Sequence, residues 1–170
     1  MRLLLTLLAV AALVPAAAAA RTGAMPSPCR GGELRGSFSL VPHSRGAGQV
    51  RYRLRLVNRS NAECSVTGIP GLRLLGRTGR PLPTHVRPAH PGALTAVLVR
   101  LRPGQAAHTV AAFSPDVTGV GDHHPGPCQP RSYWLRVTPA AGGGLRAPVT
   151  PPTAVCERGE LRLDALSPGR

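Results

Sequence analysis

Apolar residues and arginines alternate without a break over VRYRLRL, residues 50–56. On an extended chain this puts Val50, Tyr52, Leu54 and Leu56 on one side and Arg51, Arg53 and Arg55 on the other. The period of two predicts a β-strand over residues 49–58 with one buried and one wet face. Weaker alternation predicts a strand ahead of it in GSFSLV (36–41), and two short ones after it in CSVT (64–67) and LRLL (72–75). LTAVLVRL (94–101) and AAHTVAAF (106–113) flank the turn sequence RPGQ and predict an antiparallel hairpin. Both of its strands are apolar in both phases, which places the hairpin mid-sheet. A helix over the same stretch would be broken by Pro103 and Gly104. SYWLRVT (132–138) groups Tyr133, Leu135 and Val137 on one face, and ELRLDAL (160–166) predicts a short closing strand.

About eight strands separated by turn signals, with no segment of helical periodicity, predict an all-β antiparallel sandwich. The 20 glycines and 19 prolines then serve as turn punctuation, and 42% hydrophobic residues argue against disorder. GRTGRPLP, THVRPAHPG and AAGGGL are expected as turns and loops.

The first 20 residues combine Arg2, an apolar run from Leu3 to Val14 and an Ala-x-Ala ending at Ala20. This is the layout of a cleavable signal peptide, too short in its apolar run for a comfortable membrane span. The expected organisation is a signal peptide at 1–20, a Pro-rich leader at 21–28, one domain at 29–166 and a tail at 167–170. No second run of spanning length follows, so a secreted protein is expected. Four cysteines in an exported chain predict two disulfides. Three connectivities are open; Cys29 with Cys64 and Cys128 with Cys156 are favoured because these pairs close the two shortest non-overlapping loops.

All 21 basic residues are arginine, and the formal charge is +14. A GC-rich coding sequence enriches arginine, alanine, glycine and proline together, yet the charge still draws an exported protein toward anionic polymers. The lack of lysine excludes a phosphate-loop lysine, Schiff-base chemistry and a Ser-Lys dyad. Neither a Gly-x-Ser-x-Gly elbow nor a His-Glu-x-x-His motif is present, and no Cys-x-x-Cys pair exists. The densest polar loop, SPDVTGVGDHHPGPC, holds Ser114, Asp116, Asp122, His123 and His124. Adjacent histidines on an extended chain point opposite ways, so a solvated loop is expected there, with no metal and no cofactor. The NRS sequon at Asn58 reads as a turn whose polar side chains bond nearby backbone. Arg51, Arg53 and Arg55 form the candidate surface for an anionic partner. Only five aromatics occur and Tyr52 faces away from the arginines, so nucleic acid is not expected.

The ordered set Leu54, Leu56, Asn58, Ser60, Cys64, Gly68, Pro70 and Gly71 is followed by Leu101, Pro103, Gly104, Ala106, Cys128, Cys156, Leu161 and Leu163. It resembles a secreted, actinobacterial-type family of domains of unknown function, the DUF4232 type. The resemblance implies an exported immunoglobulin-like β-sandwich and supplies no activity and no catalytic residue. The expected function is a non-catalytic module that interacts with the cell envelope or with another protein. The alternative is an inhibitor or ligand-sequestering protein that presents the disulfide-braced loop at 119–128, and an unrecognised hydrolase is the remaining enzymatic option.

Overall fold

Alternation in VRYRLRL becomes the central strand β2 (Val50–Asn58) of the computed structural model, which describes residues 25–92, 96–122 and 128–169. Its apolar side is buried, with Val50, Tyr52, Leu54 and Leu56 no more than 2% exposed, and its arginines stand in solvent. The signal peptide, the start of the leader, the start of the strand expected at 94, His123 and His124 lie outside the described residues.

A 3₁₀ turn (Gly31–Glu33) leads into β1 (Leu34–Leu40), which pairs antiparallel with β2 from Leu34 opposite Asn58 to Leu40 opposite Tyr52. The remaining strands are β3 (Cys64–Val66), β4 (Gly71–Leu75), β5 (His85–Pro88), β6 (Val99–Leu101), β7 (Ala106–Phe113), β8 (Ser132–Thr138), β9 (Leu145–Thr153), β10 (Glu160–Leu163) and β11 (Ser167–Pro168). Hydrogen bonding follows the order β4-β8-β9-β1-β2-β7-β10-β5, with β11 on β7 and a separate β3-β6 pair. β4 and β5 lie at opposite ends of that order but are consecutive in sequence. The segment between them folds back on β4, with Leu82 N donating to Leu74 O and Leu74 N to Thr84 Oγ1, so the sheet nearly closes on itself.

The all-β expectation and both disulfides hold. Cys29–Cys64 and Cys128–Cys156 each have a Cα separation of 5.0 Å. An antiparallel sheet throughout does not: β1 with β9 and β10 with β5 run parallel, so the sheet is mixed. The expected hairpin over 94–113 is also corrected. The RPGQ turn forms, with Gln105 N donating to Arg102 O, but β6 pairs with β3 while β7 lies between β2 and β10. Three strands went unpredicted: β5 and β9 because prolines interrupt them, and β11 because it falls in the expected tail.

Three of the five aromatics fill the centre of the core. Tyr52 stands with its ring centroid 5.1 Å from that of Phe38 and 5.2 Å from that of Phe113. Its hydroxyl donates to Pro151 O at 2.9 Å, satisfying the one polar atom this ring carries inward. Burial pushes the Tyr52 phenol above its ordinary value of 10.0. The folded protein therefore holds this proton more tightly than the unfolded chain. Stability from the group is complete below pH 10.0 and falls as pH rises toward the raised value. Thermal unfolding followed from pH 9 to 12 (about one to two pH units either side of an ordinary phenol) is expected to show that loss. In Y52F the same series flattens; an unchanged series in Y52F would show that another group is responsible.

Candidate anion-binding surface

Arg51, Arg53 and Arg55 project from β2 between β1 and β7. Ser39 and Val110 flank Arg53, Ser37 and His108 flank Arg55, and Ala112 lies across from Arg51. All three arginines are exposed, so their guanidinium groups reach solvent or a ligand. At the Arg55 end the surface is concave: Arg53, Arg55, His108, Pro168 and Gly169 line a depression of about 390 Å³. β11 makes its rim, held by Ser167 Oγ donating to His108 O and Gly169 N donating to Ala106 O. Same-face residues on one strand stand about 7 Å apart, so neighbouring arginines repel by only about 0.6 kcal/mol in water.

The acids lie elsewhere. Five of the seven are engaged: Glu33 accepts from Arg30 N, and Asp122 accepts from Gly119 N, Glu157 N and Arg158 N. Glu160 pairs with Arg87 and Arg162, Glu157 with Arg162, and Asp164 with His90. Among the described residues no carboxylate comes within ion-pairing distance of Arg51, Arg53 or Arg55.

A second arginine set was not anticipated. Arg73 on β4 lies directly opposite Arg136 on β8, which lies directly opposite Arg146 on β9. All three are exposed. Directly opposed side chains on neighbouring strands are only about 5 Å apart at Cβ, and like charges so placed repel by roughly 0.8 kcal/mol per pair in water. These arginines come from segments far apart in sequence, so only the strand order could reveal that they meet. Within LRLL, YWLRVT and GLRAP each is a lone arginine.

The described part of the polar loop is held by local bonds. Ser114 Oγ donates to Val117 O and accepts from Val117 N, closing a turn. The Asp122 carboxylate braces the turn after Cys156, where Glu157, Arg158 and Gly159 all have positive φ. Gly159 is required there, since a Cβ would sit 2.0 Å from Pro83 O. Asp122 also lies within 4.8 Å of the sulfurs of Cys128 and Cys156, but those sulfurs are bonded to each other and cannot ligate a metal. The NRS segment is a turn, as its composition predicted. Asn58 is 1% exposed and its Nδ2 donates to Ala62 O and Leu101 O, while its Oδ1 accepts from Ser60 N and Oγ.

Together these features define an all-β domain, stapled by two disulfides, whose outer wall is strongly basic. The chain belongs to the family described as Domain of unknown function (DUF4232), which it matches over residues 29–167. No curated protein and no solved structure matches it.

Proposed function

We propose that this protein is an exported, non-catalytic module that binds an anionic polymer of the cell envelope through its basic outer wall. The observation that carries the reading is the Arg51, Arg53 and Arg55 stripe, exposed and without an acidic partner among the described residues. Two disulfides suit an oxidising, extracellular compartment. Among the described residues no helix is long and apolar enough to cross a membrane. We also read the curled sheet as an immunoglobulin-like sandwich. One layer would be β4-β8-β9 and the other β9-β1-β2-β7-β10-β5, with β9 shared at the corner. Such a fold hosts many functions, and the arginines rather than the fold support this one.

The test is retention on isolated envelope at low and high salt. Wild-type protein is expected to bind at low salt and be released as counterions compete. Changing Arg51, Arg53 and Arg55 together to Glu is expected to lower retention at least tenfold, and unchanged retention would overturn the proposal. A second reading, an inhibitor loop, draws on Val120, 97% exposed beside the turn that Asp122 braces. It predicts instead a stoichiometric complex with a secreted hydrolase that survives high salt.

A further inference from the structure

We propose that the outer face of β4, β8 and β9 is a site for an acidic polysaccharide. Arg73, Arg136 and Arg146 would pair with its carboxylates, and Trp134 would pack against one of its sugar rings. The site uses residues other than the stripe on β2, so either surface can fail without the other.

Four observations converge on this face. Arg73, Arg136 and Arg146 form one row across three strands, spaced by the strand separation of about 4.8 Å. A row of this kind matches a ligand that carries one charge per repeating ring rather than a single small anion. Arg73 and Arg136 also line a depression of about 480 Å³, with Gly79, Pro81 and Thr138 on its walls. The wall containing Gly79 is a tight turn, closed by Gly76 N donating to Arg80 O and by Gly79 N donating to Gly76 O. Gly79 has a φ of 82°, and a Cβ there would stand 3.1 Å from Nη2 of Arg146, so the turn comes right up to that guanidinium.

The third observation is Trp134. It points outward two residues before Arg136, is 37% exposed, and lies opposite Pro148. An exposed indole beside a cationic row offers an apolar plate for the C–H face of a sugar, while planar guanidiniums suit bidentate carboxylate pairing. The fourth is that the neighbouring Tyr133 is already occupied: Arg77 stacks 4.6 Å from its ring centroid and donates to its hydroxyl at 2.8 Å. One free aromatic surface suits a glycan better than single-stranded nucleic acid, whose successive bases need successive stacking platforms.

Trp134 is the only tryptophan in the chain, so its fluorescence reports on this face alone. The experiment titrates oligogalacturonate into the disulfide-intact protein at low salt. Polyphosphate, a single-stranded oligonucleotide and a neutral dextran oligomer are run in parallel at matched concentrations. A saturable change in Trp134 emission with oligogalacturonate is expected, with at least tenfold weaker binding in R136E and in R73E/R146E. The stripe variant R51E/R53E/R55E is expected to keep the full response. By calorimetry, W134A is expected to bind oligogalacturonate several-fold more weakly while circular dichroism shows it folded. The proposal is overturned by no saturable response, or by an equal response to polyphosphate or the oligonucleotide. It is equally overturned by an R136E response like that of wild type, or by loss of the response in the stripe variant.

Discussion

Replacing Asn58 by alanine is expected to lower folding stability by about 3–5 kcal/mol, since a buried polar knot loses several hydrogen bonds at once. Asn58 ties three pieces of chain together. Its amide nitrogen reaches Ala62 O at 2.7 Å and Leu101 O at 2.8 Å, and its carbonyl oxygen accepts two bonds from Ser60. Its backbone joins the RPGQ turn as well, with Asn58 N donating to Gln105 O and Gly104 N donating to Asn58 O. Leu101 is 1% exposed, so water cannot readily replace the amide at its carbonyl. Aspartate is the sharper variant. It keeps the shape of Asn58 but turns a donor into a charged acceptor facing two carbonyl oxygens, and N58D is expected to be no better than N58A. Urea unfolding with the disulfides intact measures both, and near wild-type stability in N58D would show that the donated bonds are unimportant.

Removing either disulfide as a pair of serines is expected to have a comparable effect. With sequence separations of 35 and 28, each bridge restricts the unfolded chain by about 4 kcal/mol in the chain-entropy description. The Cys29–Cys64 bridge should show the larger total loss because it also holds the segment before β1. Cys29 N donates to Ser65 O, Ser65 N donates to Ser27 O, and Ser65 Oγ reaches Pro26 O. In C29S/C64S these contacts must close the segment unaided. Guanidinium midpoints for C29S/C64S and C128S/C156S give the comparison, and a midpoint unchanged from wild type in either would contradict it.

Some of this molecule could be read in its sequence because certain residues state their environment locally. Alternation in β2 and β8 marked both the strands and their buried faces, since a one-residue error would have exposed a whole apolar row. The cysteine pairing followed from loop length in an exported chain, and the Asn58 turn from side chains that bond nearby backbone. What escaped were features that arise only when distant segments meet. β9, APVTPP at its heart, carries three prolines and went unpredicted; it pairs antiparallel with β8 over its first residues and parallel with β1 at Val149 and Thr150. Pro-Gly marked the turn after β6 correctly, but nothing local reveals that β6 leaves its sequence neighbour for β3. The Arg73, Arg136 and Arg146 row was hidden for the same reason: cross-strand register is a property of the sheet order, which no single segment encodes.

Arginines two residues apart on one strand repel weakly, so the β2 stripe is physically comfortable in water and its binding role must be tested directly. The most direct test is the salt dependence of binding to a purified anionic wall polymer, plotted as log K against log salt concentration. If Arg51, Arg53 and Arg55 each displace a counterion on binding, R51A/R53A/R55A makes the slope shallower by about 2 to 3. Equal slopes for wild type and variant would contradict the assignment of the stripe as the polymer-binding surface.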